Sequence, residues 1–192
     1  AFPKARRGLV AISRELMRFP YHARYELLEF VVFTLACRAQ QLVPLHAGCV
    51  GWQGAGALLV GDSGAGKSTV ALHGVLQGLE LLTEDAAFVQ PQTLLATGVA
   101  NFLHWRFDAL DFLGDAALKE RVARSPVIRR RSGVEKYEID MRQHASALTA
   151  APLTLAHVLF VSPEPAGDGP LLIPVDSVEL VDRLTRTQAY AT

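Results

Sequence analysis

Cysteine is scarce in this chain: only Cys37 and Cys49 occur in 192 residues. Two thiols cannot build a disulfide framework, and they are too isolated for a zinc site, so they read as reduced thiols of a cytoplasmic protein. Charge of one sign is lacking too. Lys and Arg number 19, as do Asp and Glu, which argues against a basic nucleic-acid-binding chain and against an acidic solvating tail. The longest strongly apolar run, Phe30 to Cys37, falls far short of the roughly 20 residues of a membrane span. Signal-peptide pattern, internal repeat and low-complexity tract are all missing. Half of the residues are hydrophobic and 20% are charged, which excludes a disordered or fibrous chain and supplies a sizeable core. The expectation is one α/β domain over residues 1–192, with a helical segment over 1–43 packed on a core of 44–192.

Periodicity places the elements. Leu27, Leu28, Val31, Val32 and Leu35 share one helical face between Arg24 and Gln41, and Pro44 is expected to close that helix. A strand follows at about 45–51. Ala57 to Val60 form a short, wholly apolar run, as a buried strand should. Helical spacing resumes near Lys67 and stops at Gly78. Leu79 to Leu82 form a further buried strand, and two short strands flank Pro91-Gln92. Helical patterning between Asp108 and Arg124 is interrupted at Gly114-Asp115. Over Val134 to Met141, Tyr137, Ile139 and Met141 alternate with Lys136, Glu138 and Asp140, a half-buried strand. Val158 to Val161 make a core strand, and a final helix begins near Asp176 with Glu179 completing a capping box.

Between the apolar run at 57–60 and the helix at 67 lies Gly61-Asp62-Ser63-Gly64-Ala65-Gly66-Lys67-Ser68, which fits G-x-x-x-x-G-K-[ST] at every fixed position. Glycine lets backbone N–H groups turn inward and approach phosphate oxygens without a Cβ clash. The helix start adds free N–H donors and the positive end of a dipole at the same point. In such a loop Lys67 reaches the β- and γ-phosphates, and the Ser68 hydroxyl is available to Mg²⁺.

Glu84-Asp85 follow the next apolar strand. They are expected at its C-terminal end, on the edge where open α/β sheets bind ligands. One carboxylate there can hold Mg²⁺ and the other can accept the proton of an attacking hydroxyl. Adjacent acids also repel, so one pKa should rise unless a cation compensates. Spacing carries information here. Motor and transporter ATPases usually place their second acid on a later strand, but Val158 to Val161 end in Ser162-Pro163-Glu164, and no L-S-G-G-Q-like segment occurs. An acid on the strand right after the loop helix is more like a kinase.

Leu45-His46-Ala47-Gly48-Cys49-Val50, the loop at 61–68 and Leu81-Leu82-Thr83-Glu84-Asp85 together resemble the bacterial HPr serine kinase/phosphorylase family, and more closely its smaller HPr-kinase-related proteins. The resemblance is specific over about residues 42–90. It implies the P-loop fold shared with phosphoenolpyruvate carboxykinase, an α/β fold with a mixed sheet and flanking helices. It also implies ATP bound by Gly61, Asp62, Ser63, Gly64, Ala65, Gly66, Lys67, Ser68 and Thr69, and Mg²⁺ assisted by Ser68 and Asp85. The catalytic set it implies is Lys67, the pair Glu84 and Asp85, one of which handles the acceptor's proton, and His46, which matches a histidine near the phosphate site. The partner would be a protein or peptide acceptor of phosphate, with neither nucleic acid nor membrane, and the assembly a homo-oligomer. The sequence departs from the kinase/phosphorylase in carrying Glu84 where the family has a first Asp, and nothing in these residues matches its separate N-terminal domain or its downstream glycine-rich signature.

The leading expectation is therefore an ATP- and Mg²⁺-dependent kinase of a hydroxyl acceptor, serine in a protein or peptide. A small-molecule kinase and a non-catalytic nucleotide-binding partner in a modification system are the alternatives. Downstream, Arg106, Arg121, Arg124, Arg129, Arg130, Arg131, Lys136 and Arg142 are dense for a neutral chain. Arg129 to Arg131 fall in an expected loop able to fold over a nucleotide, although a solvated basic turn is the blander reading of any one of them. His104-Trp105 can border an adenine pocket, with core packing as the plainer alternative.

Overall fold

The computed structural model describes residues 2–5, 7–99, 101–130, 133–143, 148–149 and 151–188. Two short 3₁₀ turns lead into a π-helical stretch over His22–Glu29, which runs on into α1 (Phe30–Gln40). Gln41, in the left-handed conformation, ends α1, and the Leu42 amide returns to the Cys37 carbonyl. Pro44 does not close the helix as expected. It lies within β1 (Val43–His46), a sheet-edge strand where a missing N–H costs no ladder bond.

β2 (Gly48–Trp52), β3 (Ala55–Val60), α2 (Lys67–Leu76), β4 (Glu80–Thr83), β5 (Ala86–Gln90) and β6 (Leu95–Gly98) follow. Next come β7 (Phe102–Arg106), a 3₁₀ turn over Phe107–Phe112, α3 (Ala116–Ala123), β8 (Val127–Arg129), β9 (Glu135–Asp140), β10 (Leu153–Phe160) and α4 (Ser177–Thr187). Asp115 caps α3 by accepting from the Leu118 amide, which explains the break in patterning at 114–115. Asp176 caps α4 through the Val178 and Glu179 amides.

Seven strands form one mixed sheet in the order β1-β5-β6-β10-β3-β2-β4. Among the described strands, β3 and β10 are its parallel pair, so their C-terminal ends emerge side by side. The single strand expected at 45–51 is two strands. Only Ala47 separates β1 from β2, yet the two lie far apart in the strand order, and only Glu84-Asp85 separate β4 from β5 in the same way. The sheet therefore bends back on itself at two corners, as strands do where they switch layers. The corners touch: the Ala47 amide donates to the Asp85 carbonyl at 3.1 Å.

Alternation sends successive side chains of the central strands to two cores. Cys49, Leu58, Val60 and Leu82 point into the fold of the sheet, where they meet Ala87, Val89, Ala96 and Leu153. Val50, Leu59 and Leu81 point outward onto Ala71 and Leu72 of α2. That second core is closed by Leu118 and Val122 of α3 and by the apolar face of a three-stranded sheet, β7-β9-β8, including Leu103, Trp105 and Ile139. Trp105 is thus a core residue. On the other limb, Phe33 of α1 packs on Phe88 of β5, with ring centroids 4.8 Å apart. The described fold is α/β, a mixed sheet with flanking helices. No helix among the described residues is long and apolar enough to cross a membrane.

Candidate functional site

The apolar face of β7-β9-β8 dictates what the other face carries. In register, His104 sits opposite Glu138 and Arg106 opposite Lys136, alternating with the buried Leu103, Trp105 and Ile139. The polar residues that alternate along residues 134–141 thus share one surface with His104 and Arg106. This surface looks onto the loop after β3 and the corner after β4.

The loop at 61–66 joins the buried end of β3 to α2. Gly61 has no room for a side chain, because a Cβ there would stand 2.7 Å from the carbonyl oxygen of Val161, just past the end of neighbouring β10. Gly66, at φ +104°, takes a left-handed conformation directly before α2. Asp62, Ser63 and Gly64 are exposed and Ala65 is buried between them and α2; Thr69 is half-buried in the first turn of α2. Lys67 is 8% exposed. It curls back so that its ammonium donates to the Gly61 carbonyl at 2.7 Å and the Asp62 carbonyl at 3.2 Å. Arg106 lies over the same loop, with its Nη1 3.8 Å from where a Gly64 Cβ would be, and it pairs with Asp108. A cavity of about 680 Å³ runs along residues 61–65, between the Val161–Glu164 segment and Arg183 and Arg186 of α4.

The acids stand beside the start of α2, because β4 runs in the same direction as β3 in the sheet. The Ser68 hydroxyl donates to Glu84 Oε1 at 2.7 Å, and the other oxygen, Oε2, lies 2.8 Å from His104 Nδ1. Ser68 is therefore joined to Glu84. Asp85 faces His46 instead, Nδ1 to Oδ1 3.3 Å, and its side chain is far more exposed than that of Glu84. His46 ends β1 at the corner, so it reaches the acid pair, and its backbone amide donates to Gln188 Oε1.

One of the adjacent acids is expected to rise unless a cation compensates, and Glu84 is the compensated case. Burial pushes its carboxyl upward, but the bond and charge of His104, the Ser68 hydroxyl and the Lys136 ammonium outweigh that and hold it below the usual carboxylate range. Burial likewise depresses His104, yet Glu138 and Glu84 prevail and lift the imidazole to about 9. Glu138 Oε1 accepts from the Tyr25 hydroxyl at 2.7 Å and stands 3.6 Å from His104 Nε2, an ion-pair contact longer than a hydrogen bond. Burial holds the Lys136 ammonium below the ordinary lysine value, against the opposing pull of Glu84. Tyr21, Tyr25, His46, Glu84, Asp85 and His104 help to line a second, smaller cavity of about 150 Å³.

Lys67, Ser68, Glu84, Asp85 and His46, all named from the sequence, thus gather around one loop and one corner. Glu138, Tyr21 and Tyr25 were not legible as site residues, and His104, read as able to border an adenine pocket, stands instead beside Glu84. The alternation at 134–141 marked a polar face without saying what it would meet, and the aromatic N-terminal segment carried no motif. Of the expected arginine loop, Arg129 lies 4.0 Å from Glu135 and Arg130 donates to the Tyr21 hydroxyl at 3.0 Å. Arg131 lies outside the described residues. Scans against models of known protein families and against curated proteins return no match.

Proposed function

We propose that this chain is an ATP- and Mg²⁺-dependent phosphotransferase of the HPr-kinase-like P-loop type, with the hydroxyl of a serine in a protein or peptide as acceptor. The observation that carries the reading is the Ser68 hydroxyl at 2.7 Å from an ionised, buried Glu84, at the helix start that follows the glycine loop. The donor set suits the metal: Ser68 Oγ and Glu84 Oε1 are hard oxygens, and Mg²⁺ takes one or two such protein ligands and completes its shell with phosphate and water. Bound there, Mg²⁺ would neutralise charge on the terminal phosphates of ATP and fix their orientation.

The remaining roles follow from position. The loop amides and the N-terminal turn of α2 receive phosphate oxygens. Lys67 exchanges the Gly61 and Asp62 carbonyls for phosphate, and Arg106 and Lys136 supply further positive charge from the opposite sheet. The cavity of about 680 Å³ has room for the rest of the nucleotide. Glu84 already engages both of its oxygens, which leaves the more exposed Asp85, beside His46, to take the acceptor's proton. The acceptor oxygen then forms a bond to the γ-phosphorus as the bond to the β,γ-bridging oxygen breaks, and ADP leaves. The cavity of about 150 Å³ at the acids has room for a serine side chain beside Glu84 and Asp85.

Transfer from γ-labelled ATP to a panel of serine peptides and small proteins tests the reading. A labelled serine ester is expected. Release of inorganic phosphate alone, with no labelled acceptor across the panel, overturns it.

A further inference from the structure

The buried cluster behind Glu84 has a geometry beyond what filling a core requires. β7 carries His104 into it, 9% exposed, with Leu103 and Trp105 on the opposite face. Each ring nitrogen is directed at a carboxylate from a different part of the chain: Nδ1 at Glu84 after β4, and Nε2 at Glu138 of β9. An ionised carboxylate only accepts hydrogen bonds, so Nδ1 must carry a proton. Tyr25 and Tyr21, from the π-helical stretch and the residue before it, set their rings nearly perpendicular to the imidazole at 5.3 and 5.8 Å. Tyr25 also fixes Glu138 through its hydroxyl. The imidazole is thereby held by the two tyrosine rings and by the hydrogen bond at Nδ1, with the Glu138 carboxylate facing Nε2 at 3.6 Å.

Glu84 is buried on the other side of this clamp. Its two oxygens are divided between partners, Oε2 to His104 and Oε1 to Ser68. We propose that His104 is a positioning residue, whose Nδ1–H takes one oxygen of Glu84 so that the other alone faces Ser68 and the metal–phosphate site. The inference rests on the phosphotransfer reading. Without the clamp the carboxylate is free to rotate about its last bond and to present either oxygen, or both, to the metal. The arrangement is the one in which a group behind a ligand fixes the ligand's orientation.

Two substitutions separate positioning from bulk. His104→Phe keeps the ring volume and the tyrosine contacts but has no donor. His104→Asn places an amide N–H near the position of Nδ1. His104→Phe should lower kcat, and raise the Mg²⁺ concentration for half-maximal rate, by roughly 10- to 100-fold, while Mg²⁺-free ATP affinity by calorimetry stays unchanged. His104→Asn should recover most of both losses. The imidazole ¹⁵N–¹H spectrum of the wild type should show a slowly exchanging Nδ1–H that moves in Glu84→Gln. A transferring wild type with an unaffected His104→Phe overturns the positioning role alone. So does a His104→Asn as impaired as His104→Phe with Mg²⁺-free ATP affinity also lost, or a wild type without the protected Nδ1–H. A wild type that transfers no phosphoryl group overturns the phosphotransfer reading, and the positioning role falls with it.

Discussion

The loop at 61–69 and the acid corner at 84–85 face each other but are built in opposite ways. The loop is one contiguous stretch, and its shape is a matter of backbone: glycines where a side chain has no room or where φ is positive, and an ammonium held by two loop carbonyls. The corner is assembled from side chains that meet only after folding. Glu84 and Asp85 come from the turn after β4, His46 from the end of β1, His104 from β7, Glu138 and Lys136 from β9, and Tyr21 and Tyr25 from the N-terminal segment. Phosphate binding suits the first construction, since backbone amides serve any phosphate. Proton transfer needs the second, because a carboxylate's basicity is set by what surrounds it.

The contrast predicts that damage to each region shows in a different kinetic constant. The largest effect is expected for Asp85→Asn, which keeps shape but removes the proposed proton acceptor. Turnover should fall by roughly 100- to 10,000-fold with ATP affinity nearly unchanged, read by single-turnover transfer beside calorimetry. Lys67→Ala should act the other way round. Loss of its charged bonds to phosphate should weaken ATP binding by roughly 10- to 100-fold in the same calorimetric titration. If Lys67→Ala bound ATP as the wild type does, the loop would not be the phosphate site, and the division drawn here would collapse.

The same contrast explains what could be read from the chain. Gly61 to Ser68 were legible as a glycine loop between a buried strand and a helix because that shape is local and is set by the spacing of Gly, Lys and Ser. Glu84-Asp85 were legible because one helix and one strand set their distance from the loop and the edge of the sheet they reach. The mixed sheet was expected, but its bend was not. Nothing around Ala47 announces that β1 and β2 part company there, since the corner is set by how β5 and β6 lie over β3 and β10. The place of His104 at the acid corner was hidden for a related reason. On a strand its neighbours Leu103 and Trp105 are core, and only the pairing with β9 shows that the intervening face meets Glu84 and Glu138.

The charge pairs at the corner make folding stability depend on pH, and they do so with opposite signs. His104 titrates at about 9 when folded against an ordinary 6.5, so its contribution is complete below the ordinary value and is lost as pH rises through about 9. Glu84 is held below its ordinary 4.5, so its contribution is present above that and is lost as pH falls through the lowered value. Stability of the protein free of nucleotide and metal should therefore show a plateau between these limits. On the alkaline side it should decline by roughly 3 kcal/mol owing to His104. The groups facing the ring are Glu84, Glu138, Lys136, Glu29, Tyr21 and Tyr25. Urea unfolding from pH 5 to 10 reads the slope, and His104→Phe should flatten the alkaline limb. An unchanged limb in that variant would mean the imidazole is not held between the two carboxylates.

Gly98 offers the smallest and most selective perturbation. It lies at the end of β6, where that strand crosses the interior of the folded sheet against the end of β4. A Cβ there would stand 2.5 Å from Thr83 Cβ and 2.7 Å from the Leu82 carbonyl oxygen. Thr83 directly precedes Glu84, and its hydroxyl bonds the Ala86 carbonyl across the corner. Gly98→Ala must therefore move the corner, at a cost of about 2 kcal/mol of stability visible as a lowered Tm. The three atoms nearest a Cβ at Gly98 belong to Leu82 and Thr83, and none to the glycine loop on β3. ATP affinity should survive while turnover falls, because the displacement enters through Thr83 to the carboxylates alone. If affinity and turnover fell together, the corner and the loop would be one mechanical unit and the distinction between them would be one of sequence only.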